Sequence, residues 1–168
     1  SYDMDEAYRL NISEKMINIK RLLNSWKQRK LTIIGEVLII KSLALSQIIH
    51  LANLQPFPDE SIKELETLFY EFLWNGKTHK IKKSVIIQKY DLGGQSMIDL
   101  KTVILVQKLK WIKLFLNNHN CMWRKTMENL IKVKNLNLLL HGNFDLNKIP
   151  ETTQFYMEVL ESLQTLNL

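Results

Sequence analysis

The residues best placed to do chemistry in this chain are lysines. Between Phe72 and Tyr90 lie Lys77, Lys80, Lys82, Lys83 and Lys89 and no aspartate or glutamate, with Glu71 and Asp91 bracketing the run. Just before it, Phe69, Phe72, Leu73 and Trp74 close an apolar segment, and Asn75-Gly76 stops it. Ammonium groups without nearby carboxylates attract phosphate, and aromatic rings beside them offer a stacking surface. The chemistry of such a run is binding, not bond-making. A second reading needs no ligand, because cations after a helix C-terminus sit favourably against the negative end of its dipole.

The interleaving recurs. Trp26 is followed by Lys27, Arg29 and Lys30; Trp111 lies between Lys110 and Lys113; Trp123 precedes Arg124 and Lys125. Together these suit a surface that holds a sugar-phosphate backbone. Each tryptophan taken singly reads first as a core anchor flanked by solvated lysines. The net charge of +6 allows an anionic partner without requiring one.

Other chemistries find little support. His119 and Cys121 form the one close Cys–His pair, and His50, His79 and His141 are scattered; a zinc site takes about four ligands. Tyr2-Asp3-Met4-Asp5 lacks the adjacent carboxylates and hairpin flanks of a nucleotidyl-transfer metal motif. Gly93-Gly94 permits a tight turn but lacks the spacing of a phosphate loop, and no Gly-x-Ser-x-Gly, His-Glu-x-x-His or Cys-x-x-Cys is present. The expectation is a chain without catalytic residues, metal, cofactor or small-molecule substrate. A single cysteine excludes an internal disulfide and favours a reducing compartment; the localisation, intracellular and either cytoplasmic or nuclear, is left open by the sequence. The chain starts at Ser1 without a signal-peptide pattern and reads as part of something longer.

The elements that must position these residues read as helices. Gly and Pro are scarce, at five and three among 168 residues, and apolar residues recur at helical spacing. Asn11, with Glu14 three residues on, predicts a capped start for a first helix carrying Ile12, Met16, Ile19, Leu23 and Trp26. Residues 1–10 read as a polar lead-in. Thr32 opens a second helix, apolar over most of its circumference and broken by Lys41. Residues 31–54 are long enough to raise the membrane question, but Glu36, Lys41, Gln47, His50 and Asn53 make it a buried core helix instead. Asp59 or Ser61 caps a third helix, Ser61 with Glu64 making a capping box, and the helix ends at Asn75-Gly76. Residues 77–98 read as irregular, with a helical turn near 84–88 and a short extended piece near 95–98. Asp99 caps a fourth helix with Lys101, Lys108, Lys110 and Lys113 on its solvated side. A fifth helix is predicted at 122–133, loop or short extended structure at 135–149, and a last helix from Thr152 or Thr153. The fold class is all-α: an irregular bundle of five to six helices, with a helical lobe at 1–76, a basic connector at 77–98 and a second helical segment at 99–168.

Several of these pieces, in order, resemble the segment that follows the palm in reverse transcriptases of LINE-type (non-LTR) retrotransposons. They are Trp26 with Lys27, Arg29, Leu31, Thr32, Ile34 and Gly35; Ile40 through Ser46; Leu54, Pro56 and Pro58; and Phe72 through Lys77 with Lys80, Ile81 and Lys82. Tyr90, Gly93, Gly94, Met97, Asp99 and Leu100, then Leu109 through Ile112, complete the set. The resemblance implies a thumb and the connector beyond it, holding an RNA/DNA or RNA template-primer and packing against an upstream palm. It implies no catalytic residue here, since the carboxylates and their Mg2+ belong to the palm of the parent RNA-directed DNA polymerase. The expected nucleic-acid contacts are Lys27, Arg29, Lys30, Lys41, Lys77, Lys80, Lys82, Lys83 and Lys110. The expected structural anchors are Trp26, Gly35, Phe72, Trp74, Gly76, Gly93, Gly94 and Trp111. Glu36 stands where the family commonly has a basic residue, and Gln95 where it has Leu. Without the resemblance, a helical domain that packs against missing parts of a parent polyprotein is the other reading.

Overall fold

A computed structural model of the chain describes residues 4–75, 77, 81–117, 122–131, 145–146 and 153–166. Among the described residues the fold is all-α, without strands. The order is α1 (Met4–Lys27), α2 (Ile33–Ile39), a π turn (Ile40–Ala44), α3 (Leu45–Leu54), α4 (Asp59–Trp74), α5 (Lys83–Ile86), a 3-10 turn (Tyr90–Leu92), α6 (Leu100–Asn117), α7 (Met122–Ile131) and α8 (Gln154–Leu166). The chain divides into two compact units, Ser1–Val103 and Ile104–Leu168. Residues 77–98, expected as a connector between lobes, fall within the first unit.

In the first unit, α1 packs against the π turn, α3 and α4, and α2 packs against α4. Ile12, Ile19 and Leu23 of α1 are buried, as are Ile40, Ala44, Ile48, Leu65, Phe69 and Phe72. Asn11 does not start α1. The helix begins at Met4, within the stretch read as a lead-in, and Asn11 lies inside it. Its side-chain amide donates to Gln55 Oε1 at 3.4 Å, and Gln55 Nε2 donates to the Tyr8 carbonyl at 3.2 Å. Gln55 is buried at the end of α3, so its amide needs partners, and α1 supplies both.

Ser61 and Glu64 do not make the expected capping box. Helix α4 starts at Asp59 after Pro58, which makes no side-chain cap, and Asp59 and Glu60 place negative charge in the first turn. Thr32 does cap α2: the Gly35 N–H donates to its hydroxyl at 3.3 Å.

The helical run Ile33–Leu54 is long and apolar enough, by length and composition, to cross a membrane. Its burial is one-sided. Val37, Ile40, Ala44, Leu45, Ile48 and Ala52 are buried, whereas Ile34 is 55 % and Leu38 62 % exposed. An all-round apolar helix is therefore only partly covered, contrary to the expectation of burial on several sides.

The second unit has its own core. Ile112 and Phe115 of α6, Met127 of α7 and Val159, Leu160 and Leu163 of α8 pack together, with Trp111, Phe155 and Tyr156 half-buried beside them. The Thr153 carbonyl accepts from the Tyr156 and Met157 amides at 2.9 and 3.2 Å, which starts α8 where the sequence predicts it. Residues 132–144 and 147–152, including Thr152 and most of the expected loop at 135–149, lie outside the described residues.

Candidate nucleic-acid interface

The corner between α1 and α2 carries the first basic group. The Arg29 amide donates to the Trp26 carbonyl at 3.0 Å and Lys30 takes a left-handed φ of 45°, so the chain turns sharply. The turn brings the Arg29 guanidinium 4.2 Å from the centroid of the Trp26 ring. Trp26 is half-buried, not a closed core residue; Arg29 and Lys30 are exposed and Lys27 half-exposed. Glu36, in the first turn of α2, is half-buried, and burial pushes its carboxyl above the ordinary carboxylate range. A Cβ on Gly35 would meet the Leu31 Cβ at 3.4 Å, an ordinary contact, so its backbone surroundings do not demand glycine.

Lys41 sits exposed in the π turn, whose wide register is set by the Leu45 N–H donating to the Ile40 carbonyl. Side chains cover carbonyls before and within the turn. Ser42 Oγ donates to the Leu38 carbonyl at 2.7 Å, and Ser46 Oγ and Gln47 Nε2 donate to the Leu43 carbonyl at 3.0 and 3.3 Å. Of the polar residues inside the apolar stretch, Ser42, Ser46 and Gln47 are used in this way.

At the end of α4, Phe72 and Trp74 are buried, and Asn75 takes the left-handed conformation (φ 48°, ψ 44°) that ends the helix. Gly76 and Lys80 lie outside the described residues. Lys77 and Lys82 are exposed. Lys83 is different. Its ammonium meets Glu66 Oε2 at 2.7 Å and lies 5.9 Å from the Tyr70 ring centroid. The basic run is thus not free of carboxylates in space, because α4 presents Glu66 to it. Burial, with Glu66 and Asp99 adding, pushes the Tyr70 phenol up to about 12.

The paired glycines close a turn on the segment before them. Gly93 has φ 79°. A Cβ on Gly94 would stand 2.0 Å from the Gln88 carbonyl oxygen, which leaves no room for any other residue. The Gly94 amide donates to the Lys89 carbonyl, Ser96 to Gln88, and both Gln95 and Met97 to Ile86. Ser96 has φ 50°, so 95–98 is not the expected extended piece. At Gly94 the close approach is to backbone, whereas at Gly93, where a Cβ would meet nothing within 4 Å, the positive φ is what favours glycine.

In the second unit, Lys110 donates to Gln107 Oε1 at 2.7 Å, and Trp111 meets Phe155 edge-on at 5.6 Å. Lys108 does not belong to the solvated side assigned to it. Its side chain is 2 % exposed and ion-paired with Glu158 at 3.0 Å. Arg124 is held by Glu128 at 2.9 Å and lies 5.2 Å from the Phe115 ring centroid. Side-chain surroundings of Trp123 lie outside the described residues.

The expected contacts therefore form no single cluster by sequence position: Lys27, Arg29 and Lys30 share one corner, Lys77, Lys82 and Lys83 flank another segment, and Lys41 and Lys110 stand on separate elements. Among the described residues, no group of three His, Cys, Asp or Glu side chains could hold a metal ion. His119 and Cys121 lie outside them. Tyr90 and Leu92, exposed on the turn before the glycines, were not among the expected contacts; the signal for them is an aromatic next to Lys89 and just ahead of Gly-Gly. No protein-family model matches the chain.

Proposed function

We propose that this chain is a non-catalytic, nucleic-acid-holding segment of a LINE-type RNA-directed DNA polymerase, gripping an RNA/DNA template-primer through phosphate contacts. The observation that carries this reading is the set Arg29, Lys30, Lys41, Lys77 and Lys82. All five are exposed, and none makes an ion pair with another described residue. Cations left to solvent in this way release counterions when they meet phosphate, which is the main source of affinity for a nucleic-acid backbone. The ordered resemblance supplies the parentage. The test is binding of an RNA–DNA hybrid by the whole chain across a salt series. Log affinity should fall linearly with log salt, and absence of binding at low salt would overturn the reading.

A second reading has its own observation. Ile34 and Leu38 lie one turn apart on α2 and are both more than half exposed. Such a pair suits packing against another part of a parent polyprotein. In that case the isolated chain would bind hydrophobic dyes or self-associate, and Leu38→Glu would abolish that without changing hybrid binding.

A further inference from the structure

The 3-10 turn Tyr90–Leu92 offers side chains that the fold does not use. Tyr90 is 52 % and Leu92 66 % exposed. The backbone beneath them is firmly held. Leu92 donates to the Lys89 carbonyl at 3.1 Å, Gly93 to Tyr90 at 3.0 Å, Gly94 to Lys89 at 3.0 Å and Ser96 to Gln88 at 2.8 Å. Gly94 is pressed against the Gln88 carbonyl, and Ile86 and Met97 are buried below. An exposed aromatic on a pinned turn loses little conformational entropy when it binds.

The charge beside it selects the partner. Lys82 and Lys89 are exposed in the same segment, and Asp91 is the one exposed carboxylate within 81–98. A tyrosine open to solvent, with exposed Lys89 directly before it in sequence, matches an unpaired nucleotide: the base stacks on the ring and an adjoining phosphate meets the ammonium group. Base pairs inside a duplex present no free face to such a ring.

We propose that Tyr90 is a stacking contact for an unpaired nucleotide, placed by the Gly93-Gly94 turn so that the segment grips single strand emerging from a duplex. The proposal rests on the nucleic-acid reading above and adds a substrate feature to it. The experiment compares a blunt RNA–DNA hybrid with the same hybrid carrying an unpaired RNA tail, both titrated with the whole chain at fixed salt. Tyr90→Ala should weaken binding of the tailed hybrid by about 5- to 100-fold and leave the blunt hybrid unchanged; Tyr90→Trp, which keeps a π face, should restore tailed binding. An unchanged helical melt shows that the variant is folded. Equal loss on both hybrids, or no loss on either, would overturn the stacking role while leaving phosphate binding in place. A wild-type chain that binds neither hybrid would overturn both readings. Tailed binding that Tyr90→Trp does not recover would likewise overturn the stacking role.

Discussion

Lys108 Nζ lies 3.0 Å from Glu158 Oε2 and 4.4 Å from the ring centroid of Phe155, which joins α6 to α8 through a buried charge pair. Burial lowers the lysine's pKa, and Glu158 pulls it back up by charge and hydrogen bonding. Removing one member leaves the other charge in a site without its counterion. Lys108→Met should cost about 3 kcal/mol in denaturant unfolding, and adding Glu158→Leu should recover most of that loss. Equal losses for the single and double variants would argue that packing, not charge, holds the pair.

Tyr70 makes alkaline stability a local property. Its phenol is pushed up to about 12 in the fold, against an ordinary value of 10.0. The fold holds the proton where the unfolded chain releases it. The contribution is therefore complete below the ordinary value and is lost as pH rises through the folded one. Between those limits the stability of Tyr70→Phe should fall less steeply with pH than that of the parent, measured by urea midpoints at successive pH values. Parallel curves would mean that Tyr70 does not carry the loss.

The glycines divide into two kinds, and alanine tells them apart. At Gly94 a Cβ collides with backbone, at 2.0 Å from the Gln88 oxygen. Gly94→Ala should destabilise by about 1–3 kcal/mol or more. At Gly35, inside α2, the nearest contact is ordinary, so Gly35→Ala should stabilise by about 0.5–1 kcal/mol through reduced backbone entropy. Thermal melts of the two variants should move in opposite directions.

Lysines near α5 should differ in their effect on nucleic-acid binding. Lys77 and Lys82 are exposed, whereas Lys83 is shared with Glu66. Replacing both Lys77 and Lys82 by Ala should flatten the slope of log affinity against log salt by up to about two units. Lys83→Ala should change it less, and Glu66→Gln, which frees Lys83, should tighten binding at low salt by about 2- to 5-fold. A larger effect at Lys83 than at Lys82 would reverse this order.

Much of the helical fold is legible because helix periodicity and local stops are short-range. Thr32 opens α2, and Asn75 ends α4, with signals that span a few residues. What stayed hidden depends on partners far along the chain. Asn11 has the chemistry of a cap, but a buried Gln55 needs its amide. Lys108 sits in a row of lysines, and its pairing with Glu158, far along the chain, separates it from them. Glu66 lies outside the lysine-rich stretch by sequence and within reach of it in space. Of the candidate interface, residue types were readable, but which cations remain uncommitted was not.

The π turn at Ile40–Ala44 fits one more residue into the helical path than an α-helical turn would. A chain with the same packing and a straight helix would be one residue shorter here. Any comparison that confines gaps to loops would then set Leu45–Leu54 one position out of register, pairing buried Ile48 and Ala52 with half-buried positions. The gap belongs inside the helix, beside Lys41.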